Sequence, residues 1–524
     1  MVLDQPELVA RGRLKCLASP RGSRAALEPH WRDLRTVRMS EQAPRRIHER
    51  GGIDASVEGT EYFEKRQLAG GVAGWLLLAG LGVAYVISGD FAGWNFGMGE
   101  GGWGGMLIAT GLMGTMYLFM VLGLAELSST ISTTGGGYAF ARRAMGPWGG
   151  FLTGTAILIE YAIAPAAIAN FIGAYVESLT GFDVGWVVFL VFYAVFIGLH
   201  LWGVGEALKL MFVITAIAVV ALFVFVIAAL PKFDASNLNS IPVDTSAFGS
   251  SSFLPFGLVG IWAALPYAIW FYLAVEGVPL AAEESKDPAK DMPRGIIAAI
   301  VTLLVFAFVI LLVAPGAAGS DFLKDSGNPL VEALEAPGAY GGQNLVSQFI
   351  NLVGLLGLIA SFFSIIFAYS RQTFALSRAG YLPKFLSLTG QRKTPYVALI
   401  VPGIIGFVMA VLNQGDLLIL VAVFGATISY VMMTLSHIIL RFKEPELDRP
   451  YRTPGGVVTT GIACVLGVVA LIAGFLVDTR VVAITAGVYV IAIAYFGLYS
   501  RHHIVASAPE EEFALIESSE SELH

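Results

Sequence analysis

Val86-Ile87-Ser88-Gly89-Asp90-Phe91-Ala92-Gly93-Trp94 places a carboxylate between two glycines, inside an apolar run that begins near Gly70 and is long enough to cross a bilayer. An ionised aspartate costs about 2.5–3.5 kcal/mol at the centre of a membrane helix, so it needs a cation or a watery cavity. Gly89 and Gly93 let the helix break there, and a broken membrane helix is tolerated only where its freed backbone groups line a protein cavity. The stretch therefore predicts a membrane-spanning chain with a ligand cavity near the midplane and Asp90 beside it.

The rest of the composition agrees. Of 524 residues 56% are hydrophobic and only 14% charged, against about 25% charged in soluble domains. Cys16 and Cys464 are the only cysteines, too few for a disulfide framework or a cysteine-rich metal site. The glycine runs Gly101-Gly102 and Gly135-Gly136-Gly137 lack the preceding strand and the Lys-Ser/Thr of a phosphate loop. No spacing suggests catalysis, a cofactor, a metal centre or nucleic-acid binding, and no enzyme is expected.

From Gly70 onward twelve apolar segments have spanning length, at about 71–95, 104–131, 147–179, 184–202, 206–231, 255–281, 295–318, 346–379, 396–413, 416–440, 456–477 and 481–500. The fold class is thus all-α, a polytopic membrane protein with both tails on one side. Sixteen lysines and arginines, among them Arg142, Arg143, Arg371, Arg378, Arg441 and Arg449, fall on the tail side, and three, Lys232, Lys324 and Arg480, on the other. That excess places both termini in the cytoplasm and the chain in the cell membrane. Residues 1–65 read as a disordered, Arg-rich leader: an anionic-lipid contact, a solvated tail, or an extended gene start with translation beginning at Met39. Residues 501–524 read as an acidic, unstructured tail.

The sixth span repeats the pattern of the first: Ala268-Ile269-Trp270-Phe271-Tyr272-Leu273-Ala274-Val275-Glu276-Gly277-Val278-Pro279 has a carboxylate, small residues and a proline in mid-span. Five spans separate the interruptions, and an odd number inverts one half relative to the other. A core of helices 1–10, residues 66–441, would form a 5+5 inverted repeat with discontinuous helices 1 and 6. Residues 442–500 would add helices 11 and 12.

Gly123-Leu124-Ala125-Glu126-Leu127, Gly135-Gly136-Gly137-Tyr138-Ala139-Phe140, Gly146-Pro147-Trp148-Gly149-Gly150, Ala281-Ala282-Glu283-Glu284-Ser285-Lys286-Asp287-Pro288 and Ser377-Arg378-Ala379-Gly380-Tyr381 occur in the order found in the amino acid-polyamine-organocation (APC) superfamily, which the chain resembles from about residue 65 to 500. Ile87-Ser88-Gly89-Asp90-Phe91-Ala92-Gly93-Trp94 and Glu160-Tyr161-Ala162-Ile163-Ala164-Pro165 resemble the bacterial ethanolamine permeases within it. The resemblance implies a secondary transporter, with the bundle around helices 1 and 6 rocking against helices 3, 4, 8 and 9. A proton, a sodium ion or an exchanged molecule would drive it. The rivals are an amino acid or polyamine permease and, from another class, a membrane-embedded sensor without net transport.

In amino acid members of this superfamily the first break usually carries an apolar residue where Asp90 stands, and the substrate brings its own carboxylate to the backbone donors. An amine without a carboxylate has nothing to offer those donors, and its ammonium needs a counter-charge. Asp90 supplies both, unless it only caps the second half-helix. The candidate substrate-contacting residues are Ser88, Gly89, Asp90 and Phe91 at the first break, Glu160 and Tyr161 on the third span, and Trp270, Tyr272, Ala274 and Glu276 at the sixth. Glu276 could bind the ammonium, carry a coupled proton or bond the unwound backbone. Glu160 could hold a proton or substrate, or pair with a neighbouring helix. Trp270, by resemblance, closes over the substrate from outside, and either it or Tyr272 could form a cation–π wall. Asn170 is a weaker polar candidate. Glu126 reads as structural or gating. Ser361 and Ser364 could coordinate an ion or back-bond their own helix, and His200 and His437 read as interfacial. The place where some superfamily members put a lysine in the fifth span falls near Ala218.

Overall fold

The computed structural model describes residues 45–49 and 53–513, apart from 69, 183–184, 413–414 and 478. Twelve apolar helices run through it. We label them α1 (Trp75–Val86 continued by Ser88–Phe91), α2 (Phe96–Thr130), α3 (Gly137–Thr180), α4 (Trp186–Trp202), α5 (Val204–Ala229), α6 (Gly257–Trp270 continued as a 3-10 helix, Val275–Glu284), α7 (Pro288–Ala318), α8 (Leu345–Arg378), α9 (Tyr396–Leu412), α10 (Gly415–Lys443), α11 (Val457–Val477) and α12 (Thr479–Leu498). Nine of these regions are long and apolar enough to cross a membrane, and α1, α4 and α9 are shorter apolar helices. Large apolar side chains on the outer helices face outward, such as Ile227, Val259, Ile404, Val465 and Ile491, as a chain surrounded by hydrocarbon requires.

Glycines with positive φ divide the long helices. Gly146, at φ 79° and followed by Pro147, separates a short helix at the start of α3 from the span proper, and Gly102, at φ 70°, bends the start of α2 against Pro255. The two interruptions expected in helices 1 and 6 are present, five helices apart, as an inverted repeat demands. Their detail differs from the sequence reading. The first break comes after Asp90: Ile87 keeps right-handed helical angles, and the chain leaves the helix at the extended Ala92 and at Gly93, φ 95°. Gly89 is helical and its task is close approach, since a Cβ there would lie 2.5 Å from Trp270 O. At the second break Ala274 has φ 79°, a left-handed conformation that costs a non-glycine residue about 1 kcal/mol or more. Pro279, lacking an N–H, lies in the 3-10 segment that follows.

The ends of the chain are more ordered than expected. Strand β1 (Arg45–Glu49) pairs antiparallel with β2 (Ile53–Val57), and β3 (Ile504–Val505) adds parallel to β2, with Ala55 opposite Ile504. Ile53, Ala55, Ile504 and Val505 are buried. A short helix, Thr60–Glu64, follows β2. The disordered leader therefore does not extend through residues 53–65, and the tail is structured as far as Phe513, because each terminus offers the other a strand edge and apolar cover. Residues 1–44 and 514–524 lie outside the described residues. The β2–β3 pairing also puts both ends on one face, as an even number of spans requires.

That face is fastened by ion pairs. Arg142 Nε lies 2.5 Å from Glu511 Oε2, Tyr381 Oη donates to Glu511 Oε1 at 3.1 Å, and Arg378 binds both Glu283 and Glu510. Burial holds the Glu510 carboxyl above the usual carboxylate range despite Arg378 beside it.

Candidate functional site

The site is built where the two interrupted helices meet. Trp270 Nε1 donates to Ala92 O at 3.0 Å, Trp94 stacks on Phe271 with centroids 5.7 Å apart, and Gly89 touches the Trp270 backbone. The turn after α1 is anchored by Asn95, whose Oδ1 accepts from Gly93 N at 3.1 Å and whose Nδ2 donates to Leu323 O and Ser326 O. Tyr175 Oη donates to Phe91 O at 3.1 Å. The end of α1 is thus held by backbone and aromatic contacts, with the Asp90 side chain taking no part.

Asp90 is fully buried, and neither carboxylate oxygen has a hydrogen-bond partner among the described residues. The capping alternative fails in this structure, because the oxygens bond no backbone N–H. Tyr272 of α6 lies within electrostatic range of it, while the Tyr272 hydroxyl points to Thr110 O at 3.4 Å. Ser88, Phe91, Trp270, Tyr272 and Ala274 surround this junction and are all buried. A buried carboxylate without donors is costly, and an organic cation is the ligand that would relieve it.

Glu160 and Glu276 form a second cluster. Their side chains are hydrogen-bonding neighbours across the α3–α6 interface. Tyr161 Oη donates to Glu276 Oε1 at 3.0 Å, Tyr430 Oη donates to Glu160 Oε1 at 3.2 Å, and Tyr117 Oη donates to Tyr430 Oη at 2.8 Å. The ring of Tyr272 lies 5.4 Å from that of Tyr117, so aromatic rings connect the two clusters. The sequence reading had placed Glu160 and Tyr161 on divergent faces; both nonetheless reach the cluster, Tyr161 directly and Glu160 through Glu276 and Tyr430. Tyr117 and Tyr430 were not foreseen, since single tyrosines in apolar runs carry no local signal.

Both approaches are shut. On the face away from the tails, a cavity of about 640 Å³ is lined by Phe96, Glu100, Phe171, Tyr267, Lys324 and Asp416. Its floor is aromatic: Phe96 packs on Phe171, and Phe171 meets the Trp270 edge at 6.3 Å. Trp270 therefore closes the site from that side. Asn170 lines the cavity but back-bonds Ala166 O at 2.9 Å. Towards the tails, Arg371 and Glu284 form a fully buried ion pair at 2.7 Å.

The remaining candidates are structural. Glu126 binds Arg441 at 2.6 Å, Arg449 at 2.9 Å and Thr453 N at 2.7 Å, away from the junction. Ser361 joins helices, Oγ to Tyr85 O at 2.7 Å and to Ser88 Oγ at 2.8 Å, whereas Ser364 back-bonds Ala360 O. Ala218 is buried against Gly357 of α8. His200 and His437, expected at interfaces, are 1% exposed; His200 Nε2 lies 2.8 Å from Phe363 O, and His437 Nδ1 2.9 Å from Thr460 Oγ1. Polar partners inside the helix packing draw both rings inward.

A family profile described as amino acid permease matches residues 75–513. Among curated relatives, an uncharacterized transporter of Rhizobium meliloti is 32% identical over 430 residues, covering 79% of this chain and 89% of the relative. The branched-chain amino acid permease BcaP of Bacillus subtilis is 27% identical over 423 residues, 76% of this chain and 86% of the relative. The methylthioribose transporter of Bacillus subtilis is 29% identical over 354 residues, 63% and 72% respectively.

Proposed function

From the premise that this chain belongs to the amino acid permease family, and is therefore a multi-pass membrane transporter, we propose that its substrate is a small cationic amine lacking a carboxylate, with ethanolamine the best fit, imported across the cell membrane by alternating access. The observation that carries the reading is the buried, unpartnered Asp90 at the junction of the interrupted helices. An amine fills that vacancy in charge and hydrogen bonding, whereas a zwitterion would set its own carboxylate against Asp90. The outer cavity supports a cation as well, because Glu100, Asp325 and Asp416 outnumber Lys324 around it and such a field concentrates positive solutes. The lysine and arginine excess supports cytoplasmic tails.

A second reading, an amino acid permease, draws support from the relatives named for amino acids. In it Asp90 would receive the amino group of a zwitterion. Uptake of labelled ethanolamine into proteoliposomes, challenged with unlabelled ethanolamine, putrescine, alanine and glutamate, separates the two. Selective competition by ethanolamine, lost uptake in Asp90→Ala and retained reconstitution of that variant are the expected results. Block by alanine with wild-type ethanolamine insensitivity would replace the amine reading with the amino acid one.

A further inference from the structure

Asp90 accounts for one buried negative charge at the centre of the molecule, and two further carboxyl groups lie next to each other on α3 and α6. Glu160 is fully buried and Glu276 is 3% exposed. Each presents one oxygen to a tyrosine hydroxyl, and the other oxygen of each, Oε2, has no partner among the described residues. That is the pattern left by two acceptors facing each other with the hydrogen between them unspecified. Adjacent carboxylates removed from water cannot both stay ionised.

The groups facing the pair are neutral hydroxyls on every side. Tyr161 comes from α3, Tyr430 from α10, Tyr117 from α2 and Tyr272 from α6, while Tyr85 of α1 flanks Gly277 beside Tyr161. The nearest fixed cation towards the tails is Arg371, and it is committed to Glu284. No lysine, arginine or histidine is bonded to either glutamate among the described residues, so the compensating positive charge must enter from solution.

We propose that Glu160 and Glu276 hold one proton between them and that this proton is the ion co-transported with the substrate. The inference rests on the amine reading of Asp90 for the identity of the co-transported molecule. In the closed form an O–H of one carboxyl donates to the carboxylate of the other, and the remaining charge is spread onto Tyr161 and Tyr430. The α6 half of the pair moves with α1, to which Trp270 and Gly89 bind it, and the α3 half belongs to the opposing helices. Loss of the proton leaves two like charges across the α3–α6 contact and opposes closure. Closure around substrate therefore requires the proton, and opening to the other side releases both. Ser88 and Ser361 use their hydroxyls to join α1 to α8 directly, so that contact is already closed by protein groups.

The test uses purified full-length protein in two assays. In proteoliposomes with the membrane potential clamped, an imposed pH gradient is expected to drive ethanolamine accumulation by about tenfold per pH unit for one proton per amine, with matching acidification reported by an internal dye. Glu160→Gln and Glu276→Gln should each lose the response to the gradient. In the second assay, pH-difference infrared spectra are recorded in an Asp90→Asn background, which removes the aspartate's own signal. A protonated-carboxyl band should be present there and disappear when either glutamate becomes glutamine. Ethanolamine uptake without proton movement, gradient-driven accumulation in both variants, or a band surviving both substitutions would overturn the proposal. Glutamate-dependent putrescine binding without the band would do so too, by making the pair a second ammonium site. If wild-type protein does not carry ethanolamine, the amine reading falls, whereas the infrared result, which needs no substrate, still decides the pair.

Discussion

Gly89→Ala tests the central geometry with a single methyl group. A Cβ at position 89 would lie 2.5 Å from Trp270 O and 3.2 Å from Phe271 Cα, both of them backbone atoms of α6. Ordinary contact starts at 3.4 Å, so α1 and α6 must separate by about 0.9 Å, an overpacking of the kind that costs about 1–3 kcal/mol. Gly89 occupies helical backbone, where replacing glycine by alanine otherwise stabilises by about 0.5–1 kcal/mol. The net expectation is a loss of about 0.5–2 kcal/mol, a fall of about 1–4 °C in melting temperature, together with lost uptake because the two breaks no longer meet. Gly111→Ala is the control: it is also helical, nothing lies within 4 Å of its Cβ position, and it should melt at or slightly above wild type. Thermal unfolding of the detergent-purified protein and proteoliposome uptake are the assays. Gly89→Ala melting at or above wild type with full uptake would refute the backbone-to-backbone packing of α1 on α6.

Two other perturbations follow from the ion pairs. Glu284→Gln removes the partner of the fully buried Arg371 and should destabilise by about 3–5 kcal/mol. Adding Arg371→Met should restore part of the melting temperature, and a double variant no better than the single one would contradict the pairing. Removal of residues 504–524 deletes β3 and takes Glu510 and Glu511 from Arg378 and Arg142. It should lower the melting temperature and raise hydrogen exchange in residues 53–57, and unchanged exchange there would show that β2 does not depend on the tail.

Much of the architecture could be read in one dimension. An apolar run of spanning length states its environment through its own residues, and the energetic penalty on Asp90 marked the first break without knowledge of any neighbour. Glu276, Ala274 and Pro279 marked the second in the same way. The ordering of the termini was missed because β2 and β3 lie far apart in the chain, and neither five-residue Ile53–Val57 nor two-residue Ile504–Val505 carries an autonomous strand signal. The histidines were misplaced for a related reason: a position near the end of a span suggests water, but a bonding partner such as Phe363 O turns the ring inward.

What the residue order settles, then, is the set of helices, the sides on which their charges lie and the two places where they break, because each depends on local hydrophobicity and backbone freedom. What required folding is the chemistry between helices. Tyr117 and Tyr430 are 313 positions apart, Tyr430 and Glu160 are 270 apart, and Tyr161 and Glu276 are 115 apart. Hydrogen bonds act over about 3 Å, and no local pattern states which distant side chains will come within that range. The same holds for Asp90: its charge was legible, but its lack of any partner is a property of everything packed around it.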